Sequence, residues 1–320
     1  MQVVDFADRH IKQAVCIAVK NYNEQRRVTP ALPVIDSVPD LSVYLENNLG
    51  VAALDDDEVL GFLCVRGPFS NAFRSTQAVG VFSPMGANGA AGDDKSEIYA
   101  LMYRAAAEKW AKSGATSHAI CLYTYDEKTL MQFFRYGFGL RCVDAVREME
   151  AVKCNSMKGY KYKELQKEEF GGIFAAAKML NEHLAMSPAF LYYPQVTDSV
   201  ILERIMNEES RYFAAYKENE LIAYIKISGE GENFACDAPD MLNICGAFCL
   251  PEYRGKGIVQ NLLNFMTKEL SGDGINRLGV DFESYNPAGY GFWMKNFDAY
   301  THSVVRRIDE FAVNYMAAVE

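Results

Sequence analysis

The chain has 320 residues and a mass of 35.9 kDa, which corresponds to two domains of ordinary size, at roughly 150 residues per domain. Apolar residues make up 50% of it, with 19 Tyr and 19 Phe, and this composition excludes intrinsic disorder because it supplies material for packed cores. The formal net charge of −10 argues against binding to nucleic acid or to a membrane, since phosphate affinity depends on clustered cations. Any anion that binds must therefore be held by local features.

Neither the N-terminus nor the cysteines indicate secretion. The first ten residues, MQVVDFADRH, carry two aspartates and no apolar h-region, and no apolar run reaches the ~20 residues of a membrane span. The 8 cysteines form no CxxC pair, and the 4 histidines are far apart in sequence. We therefore expect no disulfide framework, no metal site, and a reduced, cytoplasmic protein with buried thiols.

The first half of the chain predicts a strand, a helical region and a β-hairpin. Residues 2–5 form the strand, and residues 51–65 (VAALDDDEVLGFLCV) show two apolar runs around a polar turn. Over 97–112 apolar residues recur at helical spacing, which predicts a helix. A closing strand is predicted over 143–149.

A glycine-rich stretch, residues 83–96 (SPMGANGAAGDDKS), precedes that predicted helix. Asp93 and Asp94 stand just before the helix, where carboxylates cap the helix and complement its dipole. The same two charges would repel a phosphate. We therefore expect no anion site in this half.

The second half repeats this order of elements. Residues 213–227 (FAAYKENELIAYIKI) have the hairpin outline seen in the first half, 258–270 predict the later helix, and 302–308 predict the closing strand. Matches in the same order favour duplication. We place the boundary in the polar stretch 154–159 and predict an α/β (α+β) fold, in which helices cover a mixed sheet in each half.

The most informative segment begins at residue 242. Residues 242–250 (LNICGAFCL) predict a strand, a proline ends it, and 253–259 (YRGKGIV) lead into the helix. Such a turn presents free backbone N–H groups at the positive end of the helix dipole, and its glycines let a phosphate approach the backbone. Arg254 and Lys256 add positive charge. The sequence therefore predicts an anion site here.

This segment resembles the pyrophosphate-binding motif of the GCN5-related N-acetyltransferase (GNAT) superfamily, Q/R-x-x-G-x-G/A, in Arg254 and Gly257. Val259 stands where the family has a small residue. Downstream, residues 278–286 (LGVDFESYN) resemble the family's strand that ends in Asn, and 292–297 (FWMKNF) resemble its closing helix and turn. The resemblance covers most of the second half.

The resemblance implies two tandem GNAT-like domains, each with a mixed, splayed central sheet flanked by helices. Residues 1–154 are then a degenerate copy without coenzyme A, and residues 155–320 are the acetyl-CoA-binding domain. The first half keeps a turn, 135–138 (RYGF), that is similar to the family's closing signature. Acetyl-CoA is the implied cosubstrate, and its implied contacts are Phe248, Leu250, Arg254, Gly255, Lys256, Gly257, Ile258, Val259, Asn286 and Trp293.

The activity implied by the resemblance is N-acetyl transfer, by direct attack of an amine on the thioester. The attacking ammonium must lose a proton, and a carboxylate in the cleft is the natural base. Asp281 and Glu283 lie two residues apart on a predicted strand and project from the same face. Glu252, just before the phosphate loop, is the other candidate.

The departing thiolate needs a proton or a hydrogen-bond donor. The family often places a Tyr on the helix after the Asn, and Trp293 occupies that position here. An indole N–H donates a hydrogen bond but does not deliver a proton as a phenol does. Trp293 is then a packing residue, and protonation falls to Tyr285, Tyr290 or water. Cys249 has no histidine near it in sequence, which predicts a structural thiol rather than a nucleophile.

The acceptor is expected at the helical region 175–194, which this family uses for that purpose. An aromatic entrance suits a cationic amine, either a small molecule or a peptide. Two other functions stay open: a non-catalytic sensor of acyl-CoA or a metabolite, and a transferase of aminoacyl or longer acyl groups. The sequence does not indicate the oligomeric state. The predicted acceptor-binding residues are His183, Phe190, Tyr192 and Tyr193.

Overall fold

The computed structural model describes residues 1–155, 157–207 and 209–318. Its chain divides into two compact units: unit 1 comprises Met1–Asp144 and Ala299–Glu320, and unit 2 comprises Ala145–Asp298. Residues at the end of the chain therefore belong with the first half. The division into 1–154 and 155–320 stays a prediction, and Ser156, within the predicted boundary stretch, lies outside the described residues.

Strands and helices mix along the whole described chain. The strands are β1 (Gln2–Asp5), β2 (Val51–Asp55), β3 (Glu58–Leu63), β4 (Arg66–Phe69), β5 (Gly80–Ser83), β6 (Asn88–Ala90), β7 (Ser117–Tyr123), β8 (Gly139–Glu148), β9 (Tyr160–Glu164), β10 (Arg211–Lys217), β11 (Glu220–Ser228), β12 (Met241–Cys249), β13 (Arg277–Glu283) and β14 (Asp298–Arg307). The helices are α1 (Asp8–Val28), α2 (Lys95–Lys112), α3 (Glu127–Arg135), α4 (Phe174–Ala185), α5 (Asp198–Ile205), α6 (Ile258–Leu270), α7 (Pro287–Asn296) and α8 (Glu310–Ala318). Within the described ranges, no helix combines the length and the apolar character needed to cross a membrane.

Unit 1 contains two groups of paired strands. One has the order β1-β2-β3-β6, and in the other β5 lies between β4 and β7. The strand β14 pairs antiparallel with β7, in a register that runs from Thr301↔Tyr123 to Arg307↔Ser117. The core of unit 1 includes Val304 of β14, which is fully buried with Trp110 of α2. A strand from the end of the chain thus completes the first unit.

The glycine-rich stretch of unit 1 forms a strand that the sequence did not predict. Residues Asn88–Ala90 form β6, which is buried and pairs with β3. The Asn88 Nδ2 donates to the Cys121 carbonyl oxygen at 3.1 Å, and its Oδ1 accepts from the Tyr99 hydroxyl at 2.6 Å. Because Asn88 is hydrogen-bonded and its neighbours are small, this polar stretch can be buried.

The predicted capping of the next helix by two acids is wrong in its detail. Asp94 occupies the N-cap position of α2, but its side chain makes no capping hydrogen bond. Its backbone φ of −99° and ψ of 43° lie outside the extended region that N-cap residues usually adopt. The charge of Asp94 still lies at the positive end of the helix dipole.

Unit 2 contains the strand order β9-β10-β11-β12-β13. The pairs from β9 to β12 are antiparallel, whereas β12 and β13 are parallel and pair only from Met241↔Arg277 to Ile244↔Val280. A register shift between β11 and β12 falls at the same level, where Gly246 and Ile244 face consecutive residues of β11. The two parallel strands therefore separate after Ile244. This splay confirms the predicted fold class.

Two predicted elements in unit 2 have other boundaries. The helical region predicted over 175–194 ends at Ala185, because Pro188 and Pro194 disfavour helical backbone in the residues before them. Asn286 is not the last residue of a strand. The strand β13 ends at Glu283, and Asn286 is the N-cap of α7.

Candidate functional site

A cavity of about 440 Å³ lies at the splay of unit 2. The end of β12, the loop before α6, the start of α6, and the helices α4 and α7 line it. Residues far apart in sequence therefore meet at one place. The predicted residues that line this cavity are His183, Phe248, Arg254, Gly255, Gly257, Ile258, Val259, Asn286 and Trp293.

The loop before α6, which we call the glycine loop (residues 254–257), has an open backbone. Gly255 and Gly257 adopt left-handed conformations, with φ of 71° and 83°. A Cβ atom on Gly255 would meet no heavy atom within 4 Å, and one on Gly257 would meet none nearer than 3.8 Å. Gly257 is also the N-cap of α6 and offers no side-chain cap. The N–H groups of the first turn are thus available to an anion.

Two cations within this loop and one beside it make the region positively charged. Arg254 is held in place, because its Nε donates to the Cys249 carbonyl oxygen at 3.0 Å and its guanidinium lies 5.5 Å from the Phe248 ring centre. The ammonium groups of Lys256 and Lys217 lie 5.6 and 5.7 Å from the ring centre of Tyr253. Lys217 comes from the β10–β11 hairpin, so the sequence around the loop did not indicate it.

The chain segment that precedes β9 also reaches the glycine loop. The Gln260 side chain on α6 donates to the Lys153 carbonyl oxygen at 2.7 Å, and Asn264 accepts from the Val152 N–H at 3.1 Å. The Met157 sulfur lies 3.8 Å from the position of a Cβ on Gly257. We call residues 152–155 and 157 the strap. The sequence of 154–159 predicted only a boundary between the two halves of the chain.

Asn286 and Trp293 have structural roles in α7. The Asn286 side chain accepts the Gly289 N–H at 3.5 Å, which leaves its amide nitrogen as a donor. The Trp293 ring is buried and packs at 4.8 Å from the Phe292 centre and 5.5 Å from the Phe297 centre. These ring contacts agree with the packing role predicted for Trp293.

The predicted catalytic residues lie on β13 and near the glycine loop, outside the cavity lining. Glu283 is half-buried at the end of β13, and its Oε1 accepts from the Tyr193 hydroxyl at 3.5 Å. Asp281 and Tyr285 are also half-buried, whereas Glu252 is exposed in the turn that follows β12. The roles predicted for these four residues stay predictions.

The other predicted contacts lie beside the cavity or on the surface. Leu250 packs against the core cluster of β10 and α4, and Lys256 is exposed in the glycine loop. Phe190 and Tyr192 are exposed, and Tyr193 reaches Glu283. The predicted helical region 175–194 included these aromatic residues, but they lie on the loop that follows α4. Cavity residues that sequence analysis missed include Leu180, Ala247, Gln260, Phe292 and Lys295.

Cys249 lines the cavity as a buried thiol. Burial raises the pKa of this thiol to about 11, while the nearby charges have smaller effects: Arg254 lowers the pKa and Glu252 raises it. The thiol is therefore protonated at neutral pH and is a weak nucleophile.

We expect Cys249→Ala to keep turnover within about threefold of the parent, since a protonated thiol offers no route to a covalent intermediate. Initial rates of coenzyme A release under saturating substrates measure this. A large loss of turnover, as expected when a nucleophile is removed, would contradict the structural role if circular dichroism shows that the variant is still folded.

Comparisons with known proteins agree on this region and on the fold. Residues 178–298 match the model of the Acetyltransferase (GNAT) family. The structure is similar to a GCN5-related N-acetyltransferase from Sphaerobacter thermophilus, with a TM-score of 0.59 and 9% identity over 96% of this chain and 95% of that chain. It is also similar to a glucosamine N-acetyltransferase region of a fungal multi-domain GH3 β-N-acetylglucosaminidase, with a TM-score of 0.52 and 12% identity over 95% of this chain and 38% of that chain. The search of curated proteins finds no match.

Proposed function

From the premise that residues 178–298 belong to the GNAT acetyltransferase family, we propose that this protein is an acetyl-CoA-dependent N-acyltransferase that transfers an acetyl group to an amine. The match to this family supports acyl-CoA-dependent N-acyl transfer as the general activity. The observation that carries the proposal is the cavity at the splay, which ends at an open glycine loop on a helix N-terminus. We further propose that residues 1–154 are a degenerate copy in a tandem arrangement.

The residues at this cavity fit the chemistry of acetyl-CoA. A pyrophosphate needs several N–H donors and cations, which the glycine loop, Arg254 and Lys256 offer. A pantetheine arm carries amides that need backbone partners, and β12 does not pair with β13 beyond Ile244. The Asn286 amide nitrogen adds a donor beside this edge. When bound, acetyl-CoA supplies an activated acetyl thioester.

The acceptor amine must be deprotonated before it attacks the thioester. Glu283 is the proposed base, because it lies at the end of β13 and the Tyr193 hydroxyl holds its carboxylate. Asp281 projects from the same strand, and Glu252 flanks the glycine loop on the other side of the splay. These two carboxylates are the alternatives.

The departing thiolate needs a donor other than a tyrosine at the family's usual position on the helix, because this chain has Trp293 there. Trp293 stands at that position and is fixed by its ring contacts. Tyr285 follows β13, and Tyr290 packs edge-on against Phe282 at 5.9 Å on the first turns of α7. We propose Tyr285, Tyr290 or water as the proton source.

Turnover tests the proposal directly. Release of free coenzyme A thiol from acetyl-CoA, measured against a panel of amines, should depend on the amine and produce an N-acetylated product. Acetyl-CoA binding without turnover on any amine of a broad panel would contradict the proposal. It would favour the second candidate, an acyl-CoA sensor, which the Trp293 substitution supports. Tighter binding and faster transfer of longer acyl-CoA forms would instead indicate another acyl group.

We expect one acetyl-CoA site per chain. In unit 1 the Asn88 side chain of β6 donates a hydrogen bond to the Cys121 carbonyl oxygen of β7. The protein's own side chain therefore occupies a backbone acceptor of β7 that a bound ligand would otherwise use. The charge of Asp94 adds repulsion at the start of α2. Isothermal titration calorimetry should therefore give a stoichiometry of about one. Two equivalent sites would show that unit 1 binds the cosubstrate as well.

A further inference from the structure

Residues 186–193, the first part of the loop between α4 and α5, are anchored by backbone hydrogen bonds and by one buried side chain. We call this part the acceptor loop. The Leu191 N–H donates to the Leu184 carbonyl oxygen at 2.7 Å, and the Phe190 N–H donates to the Met186 carbonyl oxygen at 2.9 Å. Leu191 is 3% exposed, so one side chain of the loop reaches the interior. These hydrogen bonds and the buried Leu191 side chain therefore fix the conformation of the loop without a ligand.

The same loop displays large apolar side chains to solvent. Met186 is 68% exposed, Phe190 75% and Tyr192 64%. Phe190 also adopts a left-handed backbone conformation, with a φ of 48°, which is unfavourable for a bulky residue. Single exposed apolar residues are ordinary, but a cluster of them on a fixed loop is typical of a binding surface.

The acceptor loop contacts the proposed catalytic centre through its last residue, Tyr193. Tyr193 follows Tyr192 directly, and its hydroxyl lies 3.5 Å from Glu283 Oε1. On the other side, His183 lines the cavity three residues before Met186 begins the loop. A molecule that places a cation near Glu283 thus has the apolar side chains of the loop within reach.

The acceptor loop and the residues next to it in sequence carry none of the acidic side chains that a polycation would need. Residues 184–197 contain no charged side chain, in a chain that is 23% charged. The nearest acid that follows, Asp198, is paired with Lys178 at 3.1 Å. The Glu283 carboxylate beside an uncharged aromatic surface matches a single amine on an apolar body.

We infer that the acceptor of this enzyme is a monoamine with a bulky apolar body, such as an arylalkylamine, and that the acceptor loop binds that body. The inference rests on the proposed function for the site and names its substrate class. The amine is held at Glu283, while Phe190, Met186 and Tyr192 cover the apolar part. A polyamine or a small hydrophilic amine gains nothing from this surface.

A matched amine series tests the substrate class. The probes are 2-phenylethylamine, ethylamine and spermidine, with acetyl-CoA at saturation. We expect 2-phenylethylamine to have a KM at least about tenfold below that of ethylamine, a difference that burial of a phenyl group readily supplies. Spermidine as the best substrate by kcat/KM would overturn the inference.

Substitutions in the acceptor loop test whether this loop binds the apolar part of the amine. Phe190→Ser should raise the KM for 2-phenylethylamine at least about tenfold and leave that for ethylamine and the Kd for acetyl-CoA unchanged. Phe311→Ser on α8 is the matched control, because Phe311 is an exposed aromatic residue of unit 1, 90% accessible. Equal kinetics of Phe190→Ser and Phe311→Ser would overturn the inference, and Tyr192→Ser provides an independent check.

Binding measurements separate this inference from the proposed function. Calorimetry with 2-phenylethylamine and ethylamine, in the presence of coenzyme A, reports on the loop without any transfer. Preferential binding of the aryl amine that is lost in Phe190→Ser supports the loop even if no amine is acetylated, in which case only the proposed catalysis fails. A dimer in size-exclusion chromatography that Phe190→Ser dissociates would assign the surface to a second copy and overturn the inference.

Discussion

Gly257→Asp is expected to abolish acetyl-CoA binding and leave the fold of unit 2 intact. The new side chain would stand on the N-cap of α6, where the proposed pyrophosphate approaches, and its charge would repel the phosphates. A lost charge-assisted hydrogen bond costs about 1.5–3 kcal/mol, and the repulsion adds to this. We expect the Kd to rise at least about 100-fold in calorimetry.

A matched glycine controls for strain and charge in this experiment. Gly274 also has a positive φ, 75°, and a Cβ there would meet no heavy atom within 4 Å. It lies beyond the C-terminal end of α6, at the far end of a helix about 20 Å long. Gly274→Asp should bind acetyl-CoA like the parent. Similar affinities of the Gly257 variant and the parent would show that the glycine loop is not the phosphate site.

Glu283→Gln is expected to lower turnover at least about tenfold, since positioned general bases contribute typically ~10²–10⁴-fold. The substitution keeps the size of the side chain and its hydrogen bond with Tyr193, but it removes the charge that accepts the proton. The affinity for acetyl-CoA should change little.

The neighbouring acids provide the comparison. Asp281→Asn and Glu252→Gln remove one charge each, on the same strand and beside the glycine loop. We expect smaller losses from both than from Glu283→Gln. If Glu283→Gln keeps the turnover of the parent across the pH range, Glu283 is not the base. Whichever of Asp281→Asn and Glu252→Gln loses more turnover would then identify the base.

The sequence predicted the parts of the site that are contiguous in the chain. The glycine loop and α6 follow from one run of residues, 253–270, in which turn residues, charge and helical period agree. Asn286 and Trp293 were identified instead from the resemblance of a short downstream segment to the family. Their meeting at one cavity was an implication of the resemblance, and the separation of β12 and β13 after Ile244 is its physical basis.

The parts that it did not predict come from distant segments. The pairing of β10 with β11 brings Lys217 to Tyr253, next to the glycine loop. Two side chains of α6 form hydrogen bonds with the backbone of the strap. No local pattern encodes such contacts. The strand β6 was missed for another reason: Asn88–Ala90 lack β-branched residues, and tertiary hydrogen bonds to Asn88 outweigh that poor propensity.

The position of β14 in unit 1 has a consequence for protein synthesis. The ribosome makes the strands β1 to β7 first, then all of unit 2, and only afterwards the strand that covers the edge of β7. Until then the core lacks Thr301 and Val304, which are both fully buried in the finished protein. The hydrogen bond that the Thr301 hydroxyl donates to Asp144 is also absent until β14 has been made. Domains generally fold in the order of their synthesis. Here the unit that is translated first is the last to be completed.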